Sequence, residues 1–335
     1  MKKVIGIMHN VPVDSGRPFS EASTDVLTQV HAVGEAFYAL GHPWEAVPFS
    51  KDFRPVMDRI ARDDFSLMIN LCESVDEDAR LCGHPAAMLE MLKTPFSGSP
   101  AMAMMLTTDK LLSKRLLTAS RLTTPGYVFY DGKRPLRTSA LAYPVIVKPR
   151  FEDASIGIDQ DAVFECEEDL RIGIPDFFER FGDLIVEEYI AGREFNVSLF
   201  GYPEALLLPP AEIDFSAFPD GLYPIVGYRA KWDKSSFEYH HTPRRFAADL
   251  PAGLLAAIQD AASFCFQFFM LRDYGRVDMR VDGAGKIHVL EVNANPCLSP
   301  DAGLAAAAEK AGWSYVQLIE RLLSFVIQRT PTHDH

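Results

Sequence analysis

The chain has 335 residues, 48% of them hydrophobic and 24% charged, a composition that supports two or three packed domains and excludes a disordered tail protein. Its formal net charge of −13 argues against a nucleic acid partner or an anionic membrane surface. Cys72, Cys82, Cys166, Cys265 and Cys297 are odd in number and lack CxxC spacing, so neither a disulfide framework nor a structural zinc site is indicated.

The first twelve residues hold an apolar run too short for a secretory or membrane segment, which places the protein in the cytoplasm and makes residues 4–8 a first strand. Val30, Val33, Phe37 and Leu40 then recur at helical spacing, with Ser20 or Ser23 as N-cap and Gly41 just past the end. Residues 65–71 read as a second strand and 84–92 as a short helix. No GxGxxG follows the first strand, which removes the signature of a nicotinamide-dependent enzyme. The turn-rich stretch 94–100 marks a boundary.

A helix capped by Thr107 or Thr108 and a strand over 144–148 come next. The strand-like runs 184–190, 194–200 and 204–209 follow closely enough to suggest antiparallel pairing. A helix over 252–270 carries Phe264, Phe266, Phe268 and Phe269 as core. The chain closes with a strand pair at 276–281 and 286–292, two helical patterns ending near Gln328, and a frayed tail. These alternations make an α/β protein whose first part, over 1–100, is an open parallel α/β domain.

The most informative segment is 275–296, GRVDMRVDGAGKIHVLEVNANP. A four-residue hairpin loop at 282–285 sets Val281 opposite Lys286, Arg276 opposite Glu291 and Asp278 opposite Val289. Alternation then lines Arg276, Asp278, Arg280, Glu291 and Asn293 on one face, with Val277, Met279, Val281, Leu290 and Val292 on the other. Two carboxylates and an amide oxygen are hard ligands suited to magnesium or manganese shared with substrate phosphates. The alternative is a solvated face with cross-strand ion pairs such as Arg276 with Glu291. Lys148, ending its strand before the small-residue loop 149–157, offers an ammonium and backbone N–H groups to phosphate oxygens. His240 and His241, adjacent on a strand, point to opposite faces and make no joint metal site, and Cys297 reads as a buried small hydrophobe.

The segments LEMLKTPFSGS (89–99), TTDKLLSK (107–114), YPVIVKP (143–149), VEEYIAGREF (186–195), RAKW (229–232), GRVDMR (275–280) and LEVNANP (290–296), in this order, resemble the ATP-grasp ligases of the D-alanine–D-alanine ligase group. That resemblance implies an ATP-grasp fold, with 101–190 and 191–330 as its two subdomains, each with an antiparallel sheet, and a ligase joining a carboxylate to an amine, both small molecules of amino-acid type, through an acyl phosphate. It implies that Lys110, Lys148 and Ser155 contact ATP phosphates and that Glu187, Glu188 and the backbone at Ile190 meet the adenine edge. Glu194 would hold the ribose, and Lys231 would reach the terminal phosphate. Asp278, Glu291 and Asn293 would hold two Mg2+ or Mn2+ ions, and Arg276 would stabilise the tetrahedral oxyanion. A homodimer is implied as well. Because an acyl phosphate must be kept from water, the 151–157 loop and the loop at 228–236 are expected to close as lids. A catalytically inactive nucleotide-binding regulator is the alternative.

The amino-acid pocket departs from the group. Ala154 and Trp232 stand where the group has serine and tyrosine, and Asp153 where it has glycine. The stretch 296–304 lacks the serine that grips the acceptor carboxylate, leaving Ala302 as a substrate-contact candidate. Glu21 is the nearest candidate for the glutamate that anchors the first amine.

Overall fold

The structure, a computed structural model, describes residues 3–12, 19–246 and 250–330. Strand β1 (Val4–Asn10) is buried along almost its whole length because it lies between two parallel neighbours, β2 (Trp44–Phe49) and β3 (Phe65–Asn70), in the order β2-β1-β3. β2 escapes the sequence reading because it is an edge strand, with alternating exposure and Pro48 in its run. Helix α1 (Ser20–Ala39) starts from Phe19, which adopts a left-handed conformation (φ 65°) without a side-chain cap, so Ser20 and Ser23 lie inside the helix rather than capping it. Gly41 (φ 77°) ends it, with the His42 N–H donating to the Phe37 carbonyl at 2.9 Å. Helices α2 (Arg54–Ala61) and α3 (His84–Met91) complete this layer.

Helix α4 (Ala101–Thr108) ends where α5 (Lys110–Ala119) begins, and the cap of α5 is Asp109, which accepts from the Leu112 N–H at 3.1 Å, not Thr107 or Thr108. Arg150 holds that same carboxylate at 2.6 and 2.8 Å. Strands β4 (Tyr127–Tyr130), β5 (Val145–Pro149), β6 (Val163–Phe164) and β7 (Leu184–Glu188) form a sheet in the order β4-β7-β5-β6, every pair antiparallel, with α6 (Glu167–Phe181) packed against it. The 184–190 run therefore belongs to this sheet and does not pair with the strand after it. A period of two fixes which face a side chain takes but not which strand lies beside it.

That next strand, β8 (Arg193–Gly201), is central in a second antiparallel sheet ordered β11-β10-β8-β12-β13, with β9 (Leu206–Leu207) also pairing β8. Its other strands are β10 (Ala211–Ile213), β11 (Arg244–Phe246), β12 (Asp273–Val281) and β13 (Ile287–Asn293). Helix α7 (Tyr228–Trp232) and helix α8 (Phe237–His240) occupy much of what reads as a loop, and α9 (Ala252–Phe268) backs the sheet. Of the phenylalanine run, Phe266 and Phe269 are core, while Phe264 and Phe268 stack on the exposed side.

Helices α10 (Gly303–Lys310) and α11 (Tyr315–Arg329) return to the first layer. Leu318, Leu322 and Val326 of α11 share one core with Ile5, Ile7, Val30, Val33 and Phe37. Asp273, wholly buried at the start of β12, accepts from the Gly98 N–H at 2.8 Å and pairs with Arg329 at the end of α11, whose guanidinium also donates to the Phe96 carbonyl at 2.7 Å. The expected frayed tail falls at residues 331–335, outside the described residues.

Candidate active site

Between the two antiparallel sheets lies a cavity of about 560 Å³, a size suited to a cofactor-sized ligand. Its chemistry begins with the β12–β13 hairpin, whose register differs from the one expected. The turn takes five residues, with Gly285 at φ 81° and the Asp282 N–H donating to the Lys286 carbonyl, so Val281 faces Ile287. A bulge between Asp278 and Met279 then admits Leu290 as an extra residue. Asp278 therefore sits opposite Glu291, and Arg276 opposite Asn293. Val289 takes the core place expected for Leu290, which lines the cavity instead.

Two carboxylates directly opposite each other repel unless cations intervene. Arg276 donates to both oxygens of Asp278 at 2.7 and 2.8 Å, replacing the expected pairing with Glu291, and Asn196 donates to the same carboxylate at 2.8 Å. Burial alone would raise the pKa of Glu291, but Lys110, Arg276 and Lys231 hold it below the usual carboxylate range. Among the described residues no group of three His, Cys, Asp or Glu side chains is arranged to hold a metal ion; the hairpin reaches three oxygen donors only with the amide of Asn293. This all-oxygen set fits a hard divalent cation that takes its remaining ligands from phosphate.

The opposite wall comes from the other sheet. Glu187 is buried, and its Oε2 receives Lys148 at 3.0 Å and Lys114 at 3.2 Å. Burial opposes ionisation of Glu187, yet the two ammonium groups pull its pKa below normal. The Lys114 pKa is pushed down to about 8 by burial, against the attraction of Glu187. Among the described residues Glu187 Oε1 is buried without a partner, an acceptor held ready for a donor. Glu188 and Ile190 line the cavity beside it, with Glu194 on β8.

Lys110 donates to the Glu152 carbonyl at 2.5 Å and to Asp153 at 3.2 Å; burial alone would lower its pKa, but Asp153 and Glu291 push it up to about 12. The loop carrying Asp153 holds Ala154 and Ser155 in left-handed conformations (φ 55° and 62°), which cost roughly 1 kcal/mol each. The loop is pinned across the cavity: Ser155 Oγ donates to the Val226 carbonyl at 2.7 Å, and Trp232 Nε1 to the Ala154 carbonyl at 3.0 Å. The two expected lids thus touch each other, and the second is the helix α7. Its Lys231 side chain is open to solvent within the cleft, yet its ammonium sits among protein groups, where lost hydration and Arg276 lower its pKa.

Glu21 does not reach the cavity. It is exposed, and its carboxylate accepts from Tyr228 Oη at 3.0 Å, clasping the start of α1 to α7. One turn further along α1, Asp25 lines the cavity instead, together with Glu73 after β3. Gln29 reaches Glu73 at 3.2 Å and Asp25 at 3.4 Å. Cys297 is half-buried, with its thiol 3.3 Å from Asp25, rather than an inert core group. His240 ends α8 and His241 follows it as the C-cap, neither on a strand, and they bond to the Lys234 and Phe237 carbonyls. Ala154, Trp232 and Ala302 all line the cavity, as does Arg244 of β11, whose buried Nε has no partner among the described residues.

Burial raises the Glu73 pKa from 4.5 to about 7. Between those values the folded protein binds more protons than the unfolded chain, so stability falls as pH rises through this window. Glu73→Gln is expected to leave stability at pH 4 nearly unchanged and to raise it at pH 8 by on the order of 3 kcal/mol. Urea unfolding at the two pH values measures this, and an equal effect at both would refute it.

A nucleotide-sized cleft closed between two antiparallel sheets, lined by lysines on one wall and carboxylates on the other, is the architecture of the ATP-grasp ligases. The family model D-ala D-ala ligase C-terminus matches residues 133–324. The chain belongs to the D-alanine–D-alanine ligase family. It is 32% identical over 81% of its length to an uncharacterised protein of Sinorhizobium fredii, covering 77% of that protein, and 30% identical over 74% to a D-alanine–D-alanine ligase of Bordetella petrii, covering 72% of it. Its fold matches a crystal structure of D-alanine–D-alanine ligase from Bacillus anthracis complexed with ATP, with a TM-score of 0.74 at 22% identity over 97% of this chain and 98% of that one. No helix among the described residues is long and apolar enough to cross a membrane.

Proposed function

We propose that this chain is an ATP-dependent carboxylate–amine ligase that joins two amino acids and releases ADP and phosphate. The observation that carries the reading is the convergence on one cleft of Lys110, Lys148, Lys231 and Arg276 with Asp278, Glu291 and Asn293. The unpartnered Glu187 Oε1 suits the amino group of adenine, beside the Glu188 to Ile190 backbone. Lys110, Lys148 and the Ser155 loop meet the phosphates, and Glu194 meets the ribose. Asp278, Glu291 and Asn293 would hold two Mg2+ or Mn2+ ions, which supply charge neutralisation and alignment for phosphoryl transfer.

A carboxylate oxygen of the first substrate attacks the γ-phosphorus, the bond to the β–γ bridging oxygen breaks, and ADP leaves. The amine of the second substrate then attacks the acyl carbon, phosphate departs, and the proton released by the amine leaves with it. Lys231 faces the migrating phosphoryl group. Arg276 uses Nε and Nη2 on Asp278, which leaves Nη1 for the oxyanion. The latched 151–157 loop and α7 keep water from the acyl phosphate. Asp25 and Glu73 suit an ammonium group on the first substrate, and Arg244, near Ala302, suits a carboxylate on the second.

With Ala154, Trp232 and Ala302 lining the pocket, a different amino-acid pair suits it better than two D-alanines. The chain divides into three parts, 1–100, 101–190 and 191–330, with α10 and α11 packing back on the first. We also propose a cytoplasmic homodimer, which light scattering at twice the chain mass tests. For the activity, the purified protein is incubated with ATP, Mg2+ and a panel of L- and D-amino acids. ADP release that requires both an acyl donor and an amine, with a condensed product detected by mass, is the expected result. Absence of ADP release across the panel, the outcome for a nucleotide-binding regulator, overturns it.

A further inference from the structure

We infer that Arg280 is a positioning residue for the sugar and base half of the nucleotide, locking Glu194 and the hinge at 189–193 into one recognition unit; the inference rests on ATP occupying this cleft. Arg280 lies two residues beyond Asp278 on β12, so the strand's alternation sets both side chains over the same face. Asp278 serves the phosphate end of that face and Arg280 the hinge end.

Arg280 is only 3% exposed. Its Nε and Nη2 donate to Glu194 Oε2 at 3.0 and 2.8 Å, Nη1 donates to the Ile190 carbonyl at 2.7 Å, and Nη2 also meets the Pro224 carbonyl. The rings of Tyr189 and Phe215 flank it, their centroids 5.0 and 5.8 Å from its central carbon. One side chain thus ties together β8, the hinge between the two sheets, and the segment that leads into α7.

A buried ion pair of this kind adds little stability over well-packed apolar groups, so its distinctive contribution here is orientation. A planar fork bound to two main-chain carbonyls fixes the position of the carboxylate oxygen it also holds. Both of its bonds to Glu194 fall on Oε2, which leaves Oε1 for the hydroxyl groups of a ligand in the cavity that Glu194 lines. The Ile190 carbonyl is already engaged. Among the described residues its N–H donates to no partner, so the hinge presents a donor to the base.

The test is calorimetric titration of the full-length protein with MgATP and with magnesium 2′,3′-dideoxy-ATP, which needs no knowledge of the amino-acid substrates. Wild type is expected to prefer ATP by about tenfold, and Arg280→Met to reduce that preference to about twofold, because the hydroxyl contacts lose their aligned acceptor. A merely structural role would lower the melting temperature and weaken both nucleotides alike. A folded Arg280→Met protein with the wild-type preference overturns the inference. If circular dichroism shows that this variant does not fold, Arg280→Lys carries the same readout: a preference reduced to about threefold supports the inference, and an unchanged one overturns it. Wild-type protein that binds no MgATP overturns the functional reading itself, a result separate from one in which ATP binds but the preference ignores Arg280.

Discussion

Replacing Glu291 by glutamine is expected to reduce kcat by at least about 10²-fold while leaving the melting temperature within a few degrees of wild type. The substitution keeps the shape of the side chain and its place opposite Asp278, and removes one charge. That charge is what Lys110, Arg276 and Lys231 stabilise, so the ionised form prevails throughout the neutral range. Without it the oxygen set retains a single carboxylate, already bound on both oxygens by Arg276. ADP release at saturating MgATP, measured with the amino-acid pair found in the screen, reads the effect. Turnover within threefold of wild type would refute the role given to the hairpin.

A second substitution should act on the fold and spare the chemistry. Asp273→Asn is expected to cost about 3 kcal/mol of stability, because it removes the wholly buried counter-charge of the half-buried Arg329, with Arg272 nearby. Asparagine tolerates the left-handed conformation found at Asp273 (φ 66°), so the substitution isolates charge from backbone strain. Denaturant unfolding measures the loss, and a change below about 0.5 kcal/mol would show that the clamp between β12, the 96–98 turn and α11 contributes little.

The parts of the site that were legible in the sequence are those encoded within one short segment. Strand alternation put Arg276, Asp278, Glu291 and Asn293 on a common face, and the end of a strand marked Lys148. What escaped depends on segments that meet only in the folded chain. The Leu290 bulge shows itself only against its partner strand, and β2 hid behind a proline that an edge position tolerates. Asp25 and Glu73 come from different elements of the first layer and converge on the cleft through Gln29. Glu21 was the nearer choice by sequence, but one turn of α1 separates a residue that faces Tyr228 from one that faces the cavity. Arg280 was visible on the polar face, yet its meaning depends on Ile190 and Pro224, which are 90 and 56 positions away. Arg244 needed the orphaned Nε to be noticed at all.

The irregularity at Leu290 sets a rule for how this stretch of chain can vary. The bulge lets Val289 face the core while Glu291, two positions on, faces the cleft, which an unbulged strand of the same residues could not do. Excising Leu290 would even out the ladder and keep Met279 opposite Val289 and Asp278 opposite Glu291, whereas an insertion or a deletion elsewhere between the turn and Glu291 would turn either side chain to the wrong face. Loss of this leucine should therefore be tolerated better than a length change at its neighbours.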